Sequence, residues 1–201
     1  MDWEQHYLEE HTPWDKGAAA PPLLEWIEAN PDALAGRVLV PGCGLGHDCR
    51  ALASLTGAEE IVGIDISPEA VKRAGQEEQA GAERYELADL FQLEPEHRQT
   101  NDWIWEHTCF CAIEPDMRNA YVEAVYGALK PGGNLLAVFY LDPYDNEHPR
   151  GGGPPHGCTL EELEERFVKS GRFEELESYV PKKSYEGREG LERVIRFRRV
   201  G

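Results

Sequence analysis

Val38-Leu39-Val40-Pro41-Gly42-Cys43-Gly44-Leu45-Gly46-His47-Asp48 decides how the rest of the chain is arranged. Arg37 to Val40 is a short, apolar, β-branched run of the kind buried on both faces of a parallel sheet. Three glycines at alternate positions follow, and glycine tolerates positive φ and lets a ligand lie against bare backbone. The Asp48 carboxylate is expected to accept from the free N–H groups of a helix start, because a periodic run (Ala51, Leu52, Leu55) begins behind it. The stretch therefore predicts strand, glycine turn and helix. His47 stands where a dinucleotide fingerprint carries its last glycine, the one that lets the helix pack close to a pyrophosphate. That argues against NAD or FAD, and the lysine of a Walker A loop is missing too. By itself, G-x-G-x-G also fits any tight strand-to-helix turn.

The flanking sequence narrows the reading. Glu60-Ile61-Val62-Gly63-Ile64-Asp65 is a second buried strand ending in an acid. Asp65 lies about 20 residues past the turn, where a doubly wound sheet places its ribose-binding carboxylate. Ser67 and Pro68 then open a helix as N-cap and first residue. A third strand, Arg84 to Leu87, ends at Ala88-Asp89-Leu90. Two acids thus terminate successive strands on the carboxyl edge of the sheet. One acid for both ribose hydroxyls and one for the adenine amino group is the pattern of S-adenosylmethionine-dependent methyltransferases.

At these residues the chain resembles the thiopurine S-methyltransferase superfamily, and within it the halide/thiol methyltransferase branch. The matching stretches are Thr12-Pro13-Trp14-Asp15-x-Gly17, Val40-Pro41-Gly42-Cys43-Gly44-x-Gly46-His47-Asp48, Gly63-Ile64-Asp65-Ile66-Ser67, Phe110-Cys111-Ala112-Ile113-Glu114-Pro115-x-Met117-Arg118, Leu129-Lys130-Pro131-x-Gly133 and Gly152-Gly153-Pro154-Pro155. The resemblance implies an α/β fold, a doubly wound Rossmann-like methyltransferase sheet, mostly parallel with one antiparallel strand. It implies a single domain over residues 1–201, with 1–36 as an N-terminal arm folding over the cofactor as a lid. The cofactor would be S-adenosyl-L-methionine, leaving as S-adenosyl-L-homocysteine. Trp3, Tyr7, Trp14, Gly42, Gly44, Gly46, Asp65, Ile66, Asp89, Leu90 and His107 match positions that hold it. Trp14, His107, Phe110, Arg118 and Tyr140 are the matching candidates for the substrate side.

The chain departs from this pattern in two places. Tyr7 replaces a common tryptophan and keeps an aromatic face. Glu106-His107-Thr108-Cys109-Phe110-Cys111 stands where relatives commonly read Asp-Tyr-x-Phe-Phe-Cys, so His107 occupies the place of a tyrosine that faces cofactor and substrate. Either His107 lines the pocket, as its place at a strand's carboxyl end suggests, or it is a core histidine. Arg118 likewise has two readings, a substrate contact or a salt bridge in the first turn of a helix.

Composition sets the outer bounds. The chain has 201 residues, the size of one large domain with a full core, and a formal net charge of −18. Nucleic-acid binding normally needs a basic face, so a polyanionic partner is not expected. No apolar run approaches the ~20 residues that cross a bilayer. The acidic start, Met1-Asp2-Trp3-Glu4, lacks the basic and apolar regions of a signal peptide. Five cysteines with no C-x-x-C fit reduced thiols, and together these features point to the cytoplasm. Cys43, His47 and Cys49 can be set out as metal ligands, but Cys43 lies inside the glycine turn and its neighbours should follow a helix, so no metal is expected. Arg193, Arg196, Arg198 and Arg199 crowd the last strand and read as the charged protection of a solvated edge. A monomer or weak dimer is expected.

In chain order, Leu23 to Glu28 predicts a short amphipathic helix ending before Pro31, with Trp26 anchoring the arm and Ala18 to Pro22 as a connector. Glu94 to Asn101 is polar and looped. Asp102 to Thr108 predicts the fourth strand. Met117, Tyr121, Ala124, Val125 and Ala128 recur at helical spacing up to Lys130-Pro131-Gly132-Gly133, and Leu135 to Leu141 predicts the fifth strand. Residues 142 to 158 form a long Gly/Pro-rich loop. Thr159 and Glu162 form a capping box for a helix ended by Gly171. Strands at Phe173–Val180 and Leu191–Arg199 close the chain.

The expected reaction is methyl transfer to a small, soft nucleophile: a thiol, hydrosulfide, halide or thiopurine-like acceptor. Such anions already carry the attacking charge, so no general base is required, and a closed, dry pocket that strips their hydration matters more. Two other readings stay open. A small-molecule O- or N-methyltransferase would use His107 as base, and a non-catalytic S-adenosylmethionine-binding protein would keep the acids without substrate access. If His107 faces the pocket, the cofactor's positive sulfonium should favour its neutral form, and an incoming anion should pull the other way.

Overall fold

The computed structural model describes residues 1–141 and 153–201. Seven strands form one sheet in the order β3-β2-β1-β4-β5-β7-β6. They are β1 (Ala35–Pro41), β2 (Gly57–Asp65), β3 (Glu83–Leu87), β4 (Asn101–His107), β5 (Leu129–Tyr140), β6 (Phe173–Tyr179) and β7 (Glu192–Arg199). The first five are mutually parallel, and β7 runs antiparallel to β5 on one side and β6 on the other, making it the single reversed strand. The helices are α1 (Trp3–Leu8), α2 (Pro21–Ala29), α3 (His47–Leu55), α4 (Pro68–Ala74), α5 (Arg118–Ala128) and α6 (Leu160–Leu163), the last continuing into a π-helical turn at Glu164–Val168.

Alternation along the central strands builds two cores, one on each face. Leu39, Val62, Ile64, Ile104, Leu135, Ala137 and Phe139 meet α5 and the α6 segment through Tyr121, Val125, Leu163 and Phe167. Val38, Val40, Ile61, Trp103, Trp105, Leu136 and Val138 meet α2 and α3 through Leu23, Trp26, Ile27 and Leu52. Trp26 packs edge-on against Trp103 at 5.6 Å and donates to Glu177 across the sheet end, anchoring the arm. Both faces covered by helices is what turns the strands into continuous apolar runs.

The local signals for helix starts mostly hold. Ser67 caps α4 by accepting from Ala70 N, and Thr159 caps α6 by accepting from Glu162 N. Asp48 does not cap α3. Gly46, in the left-handed region, is the N-cap, and the Asp48 carboxylate instead accepts from Ala20 N and Trp105 Nε1, both at 2.7 Å. Pro21 and Pro22 belong to α2 rather than to a connector, since a first-turn proline loses no hydrogen bond there. The stretch read as a loop, Glu94 to Asn101, holds a short 3₁₀ turn at Pro95–His97, and another at Leu90–Gln92 precedes it.

Two further expectations are corrected. β5 begins at Leu129, six residues early, because a register shift against β4 absorbs Lys130 to Gly133, with Gly132 at φ +78°. The arginine-rich last strand is no edge. β7 is paired on both sides, and the edge is β6, which carries Glu174, Glu175 and Glu177. Arg198 pairs with Glu174 and Arg196 approaches Glu177, whereas Arg199 is buried over the Tyr126 ring and donates to Leu129 O. Arg196 and Arg198 are the counter-charge of an acidic neighbour strand, and Arg193 donates to Ser178 on it. Of the loop expected at 142–158, residues 142–152 lie outside the described residues.

Candidate active site

β1 and β4 are sheet neighbours whose connections leave in opposite directions, β1 toward β2 and β4 toward β5. This is the switch point at which open α/β sheets hold ligands, outside the carboxyl ends of the strands. A cavity of about 490 Å³ lies there, walled by the glycine turn after β1, the ends of β2 and β3, the turn after β4 and the N-terminal arm. A groove of about 540 Å³ between α5 and the α6 segment is larger, but Glu123, Glu162, Arg166 and Arg172 there are paired with one another or with neighbours, and it shares no residue with the strand ends.

The glycine turn is shaped by what crosses it. Gly42 and Gly44 have φ of +60° and +53° and stand on the cavity wall. A Cβ at Gly44 would lie 2.9 Å from Tyr7 Oη, so the bare backbone is also where the arm seats. Gly46 faces away from the cavity. A Cβ there would meet the Tyr85 ring at 2.4–2.6 Å, so its duty is packing rather than ligand contact.

The arm is tied down by polar contacts at each end. Glu4 accepts from Ser67 Oγ at 2.5 Å and Glu69 N at 3.0 Å, docking α1 on the start of α4. Trp14 Nε1 donates to Tyr7 Oη at 3.2 Å, and Trp3 packs edge-on to Trp14 at 5.1 Å. His47 Nε2 lies 3.1 Å from Asp15 Oδ1, and His47 Nδ1 lies 3.1 Å from Arg50, which can only donate. A neutral His47 with its proton on Nε2 satisfies both. Trp3, Tyr7 and Trp14 all line the cavity.

Asp65 ends β2 with 8% of its surface exposed. It accepts one backbone N–H on each oxygen, from Ser67 and Gly44, and keeps lone pairs toward the cavity. Burial pushes its carboxyl up, against the N–H groups of Ser67, Gly44 and Ile66 that hold it down. Asp89 accepts from Phe91 N and Gln92 Nε2, which fixes the turn after β3, and Leu90 and Ile66 complete this wall.

The opposite wall is the turn after β4. Thr108 has φ +67°, a strained conformation for a β-branched residue that costs about 1–3 kcal/mol. Glu106, fully buried, over-determines it by accepting from Phe110 N at 2.9 Å and Tyr121 Oη at 2.5 Å. His107 and Thr108 are thereby held on the cavity wall. Cys109 and Cys111 also line it. Burial pushes the Cys111 thiol up to about 12 and Cys109 upward as well, so both stay protonated and neither serves as a nucleophile.

Three expected substrate contacts lie elsewhere. Phe110 is in the core, edge-on to Tyr121 and Phe139 at 5.2 Å each. Tyr140 is off the cavity wall, beneath the Arg188 guanidinium at 5.2 Å. Arg118 is 2% exposed and takes its salt-bridge reading. It grips Glu162 with NH1 at 3.0 and 2.8 Å, donates to His156 O and Gly157 O, and lies 4.7 Å over Phe110. It fixes the segment that carries Pro154 and Pro155 to the cavity. Conversely, Tyr185 and Arg188 line the cavity without any signal in the sequence, because no local spacing joins the segment between β6 and β7 to the glycine turn, while Asp48 reads as a cap and Trp105 only as a strand residue.

A doubly wound sheet, a glycine turn cradling bare backbone and an acid at the end of β2 define a methyltransferase dependent on S-adenosylmethionine, and the residues present fit that cofactor. The family model for thiopurine S-methyltransferase (TPMT) matches residues 1–196, and the chain belongs to that family. It is 35% identical to thiocyanate methyltransferase 1 of Arabidopsis thaliana, over 98% of this chain and 84% of that one. It is 33% identical to probable thiol methyltransferase 2 of the same plant, with the same coverage. In fold it is similar to 1,6-didemethyltoxoflavin-N1-methyltransferase of Burkholderia thailandensis, solved with S-adenosylhomocysteine bound. The TM-score is 0.74 at 19% identity, covering 100% of this chain and 86% of that one.

Arg118→Lys separates the two roles of that residue. Lysine keeps the charge but loses the fork that grips Glu162 and two carbonyls at once. Stability in urea should fall by about 1–3 kcal/mol while affinity for S-adenosylmethionine is kept. Unchanged stability with a lower kcat/KM would return Arg118 to the substrate side.

Proposed function

We propose that the protein transfers the methyl group of S-adenosylmethionine to a small, soft nucleophile, of the class of thiols, hydrosulfide, thiocyanate and halides. The observation that carries this is the size and chemistry of the cavity at the strand ends. Its volume, about 490 Å³, is at the lower part of the ~300–1,000 Å³ range of ligand pockets. A cofactor as large as S-adenosylmethionine takes most of it, and what remains suits an acceptor of few atoms. The names of the relatives, a thiocyanate and a thiol methyltransferase, support the same class.

In this reading Gly42 and Gly44 give the cofactor room against the backbone. Asp65 accepts from the ribose hydroxyls, and Asp89 with the Leu90 backbone takes the adenine. Bound there, the cofactor supplies an activated methyl on a sulfonium. Residues 1–36 act as the lid, with Trp3, Tyr7 and Trp14 on its inner side. Trp14 and His107 border the acceptor. Holding the nucleophile in line with methyl and sulfur is the main task, and good orientation alone supplies up to ~7–11 kcal/mol in model reactions. The five free thiols support a reducing, cytoplasmic setting. No helix among the described residues is long and apolar enough to cross a membrane.

Asp65→Ala should weaken S-adenosylmethionine binding about tenfold or more, since two hydrogen bonds to a charged group are lost at about 1.5–3 kcal/mol each. The bound hydroxyls favour the ionised carboxylate, and burial holds the free protein's carboxyl above its usual range. Affinity should therefore fall as pH drops through that raised range, earlier than for an ordinary aspartate, and Asp65→Asn should abolish the dependence. Calorimetry across pH measures both. Unchanged affinity in a folded Asp65→Ala variant would sink the ribose assignment.

Release of S-adenosylhomocysteine, screened over thiols, sulfide, thiocyanate, halides, thiopurines, alcohols and amines, tests the acceptor class. Thiols or hydrosulfide should lead, with halides slower; an alcohol or amine turned over far faster would overturn the reading. In the same assay His107→Tyr should retain cofactor binding and shift acceptor preference. Identical acceptor preferences in parent and variant would make His107 a structural residue.

A further inference from the structure

The acceptor side of the cavity is organised round one ring. The His107 side chain is 10% exposed and stacks on Trp105, with centroids 6.1 Å apart and planes at 26°. Tyr185 covers it from the segment between β6 and β7, at 5.9 Å. Its two nitrogens face carboxylates from two different elements. Nδ1 is 3.6 Å from Asp48 Oδ2, on α3, and Nε2 is 3.9 Å from Glu192 Oε1, on β7. Both are ion-pair distances, longer than hydrogen bonds. His107 Nε2 and Glu192 Oε2 are buried without a hydrogen-bond partner.

Each carboxylate is fixed from behind. Asp48 accepts from Ala20 N and Trp105 Nε1, which are donors only. Glu192 is 1% exposed and has Arg188 NH1 3.3 Å from its Oε1. Burial pushes the Glu192 carboxyl up, but His107, Ser184 and Arg188 together hold it below the usual carboxylate range. Asp48 is thus held by two donors, and Glu192 by burial and Arg188.

A neutral imidazole has one N–H and one lone pair. Whichever nitrogen were bare would aim its lone pair at a carboxylate. Only a ring protonated on both nitrogens matches both neighbours. Asp48 on α3, Glu192 on β7 and Glu106, the residue before His107 on β4, act on the ring against one cation, Arg188, so its surroundings favour an imidazolium. The cofactor's sulfonium opposes a second cation nearby, and Asp48 and Glu192 offset that repulsion.

We propose that His107 works as an imidazolium held by Asp48 and Glu192 as positioning residues, and that this charge selects acceptors that arrive as anions. The proposal rests on the methyl-transfer reading above. It replaces the expectation that His107 is neutral with cofactor bound, and it removes His107 as a base for alcohols or amines. No proton needs to move. The anion's electron pair forms the bond to the methyl carbon as the carbon–sulfur bond breaks, and that pair stays on sulfur. The uncharged acid forms of thiols and hydrogen sulfide gain nothing from the imidazolium.

The test combines ¹⁵N NMR of His107 in the S-adenosylhomocysteine complex at about pH 7 with iodide kinetics, since iodide does not ionise. Two protonated ring nitrogens are expected in the parent and one in Glu192→Gln. With iodide, kcat/KM of the parent should fall as pH rises and the ring loses its proton. Glu192→Gln removes a carboxylate, so the fall should move to lower pH, and kcat/KM at neutral pH should drop about tenfold, the effect of losing one charge-assisted contact, with cofactor affinity kept. A single protonated nitrogen in a parent that methylates iodide or thiols would overturn the proposal, as would unchanged iodide kinetics in Glu192→Gln. If Glu192→Gln does not fold, the parent's spectrum and its iodide pH profile decide. Failure of the methyl-acceptor reading looks different: the parent would turn over no thiol or halide at all.

Discussion

Gly44 and Gly46, in the turn after β1, stand where no side chain fits, and the elements round the site are assembled on that constraint. Tyr7 reaches down onto Gly44 and Tyr85 lies flat against Gly46. A Cβ on Gly63 of β2 would meet Cys49 Sγ at 2.9 Å and Cys43 Cβ at 3.0 Å. The arm, α3, β2 and β3 therefore converge on one stretch of bare backbone. Any side chain added there would push apart elements that come from distant parts of the sequence. Gly44 also walls the cavity, so there close packing and ligand access fall on one residue.

What was legible in the sequence follows from local physics. Alternating and continuous apolar runs located all seven strands, since burial on both faces leaves that mark over a few residues. Ser67 and Thr159 announced their helices because a cap is a contact over three residues. Asp65 was legible because its distance from the turn is set by the length of one crossover. What escaped depends on tertiary partners. Asp48 looked like a cap, but the nearest donors to its carboxylate come from residues 28 positions before and 57 positions after it. Arg118 matched a motif, yet its guanidinium meets Glu162 and the carbonyls of 156 and 157 only once the α6 segment packs on α5. The arginines of β7 read as edge protection because nothing in their own strand tells which acids lie beside it. Tyr185 and Arg188 had no motif at all.

The turn after β4 shows how conformation is held where chemistry needs it. Thr108 is in a backbone state that a β-branched residue avoids. Glu106 holds it there by taking Phe110 N and Tyr121 Oη at once, in the dry interior beneath the cavity. Burial pushes the Glu106 carboxyl up, and the Phe110 N–H and Tyr121 hydroxyl work against that while fixing the turn. The result is that β4 ends with His107 facing the cavity rather than continuing its alternation into a loop.

Asp48 is the point at which the two halves of the site are coupled. One of its oxygens holds Ala20, where the arm enters α2, and the other holds Trp105 and faces His107. Tyr185, which covers the His107 ring, also donates to Ala18 O at 2.6 Å. The arm is thus bonded at its base to the same groups that surround the acceptor-side histidine. A change in the charge at His107 alters the field on a carboxylate that the arm depends on, and a movement of the arm alters how that carboxylate is held. The arm and the surroundings of His107 are joined through one side chain, which gives a physical reason for an aspartate at position 48 that helix capping does not supply.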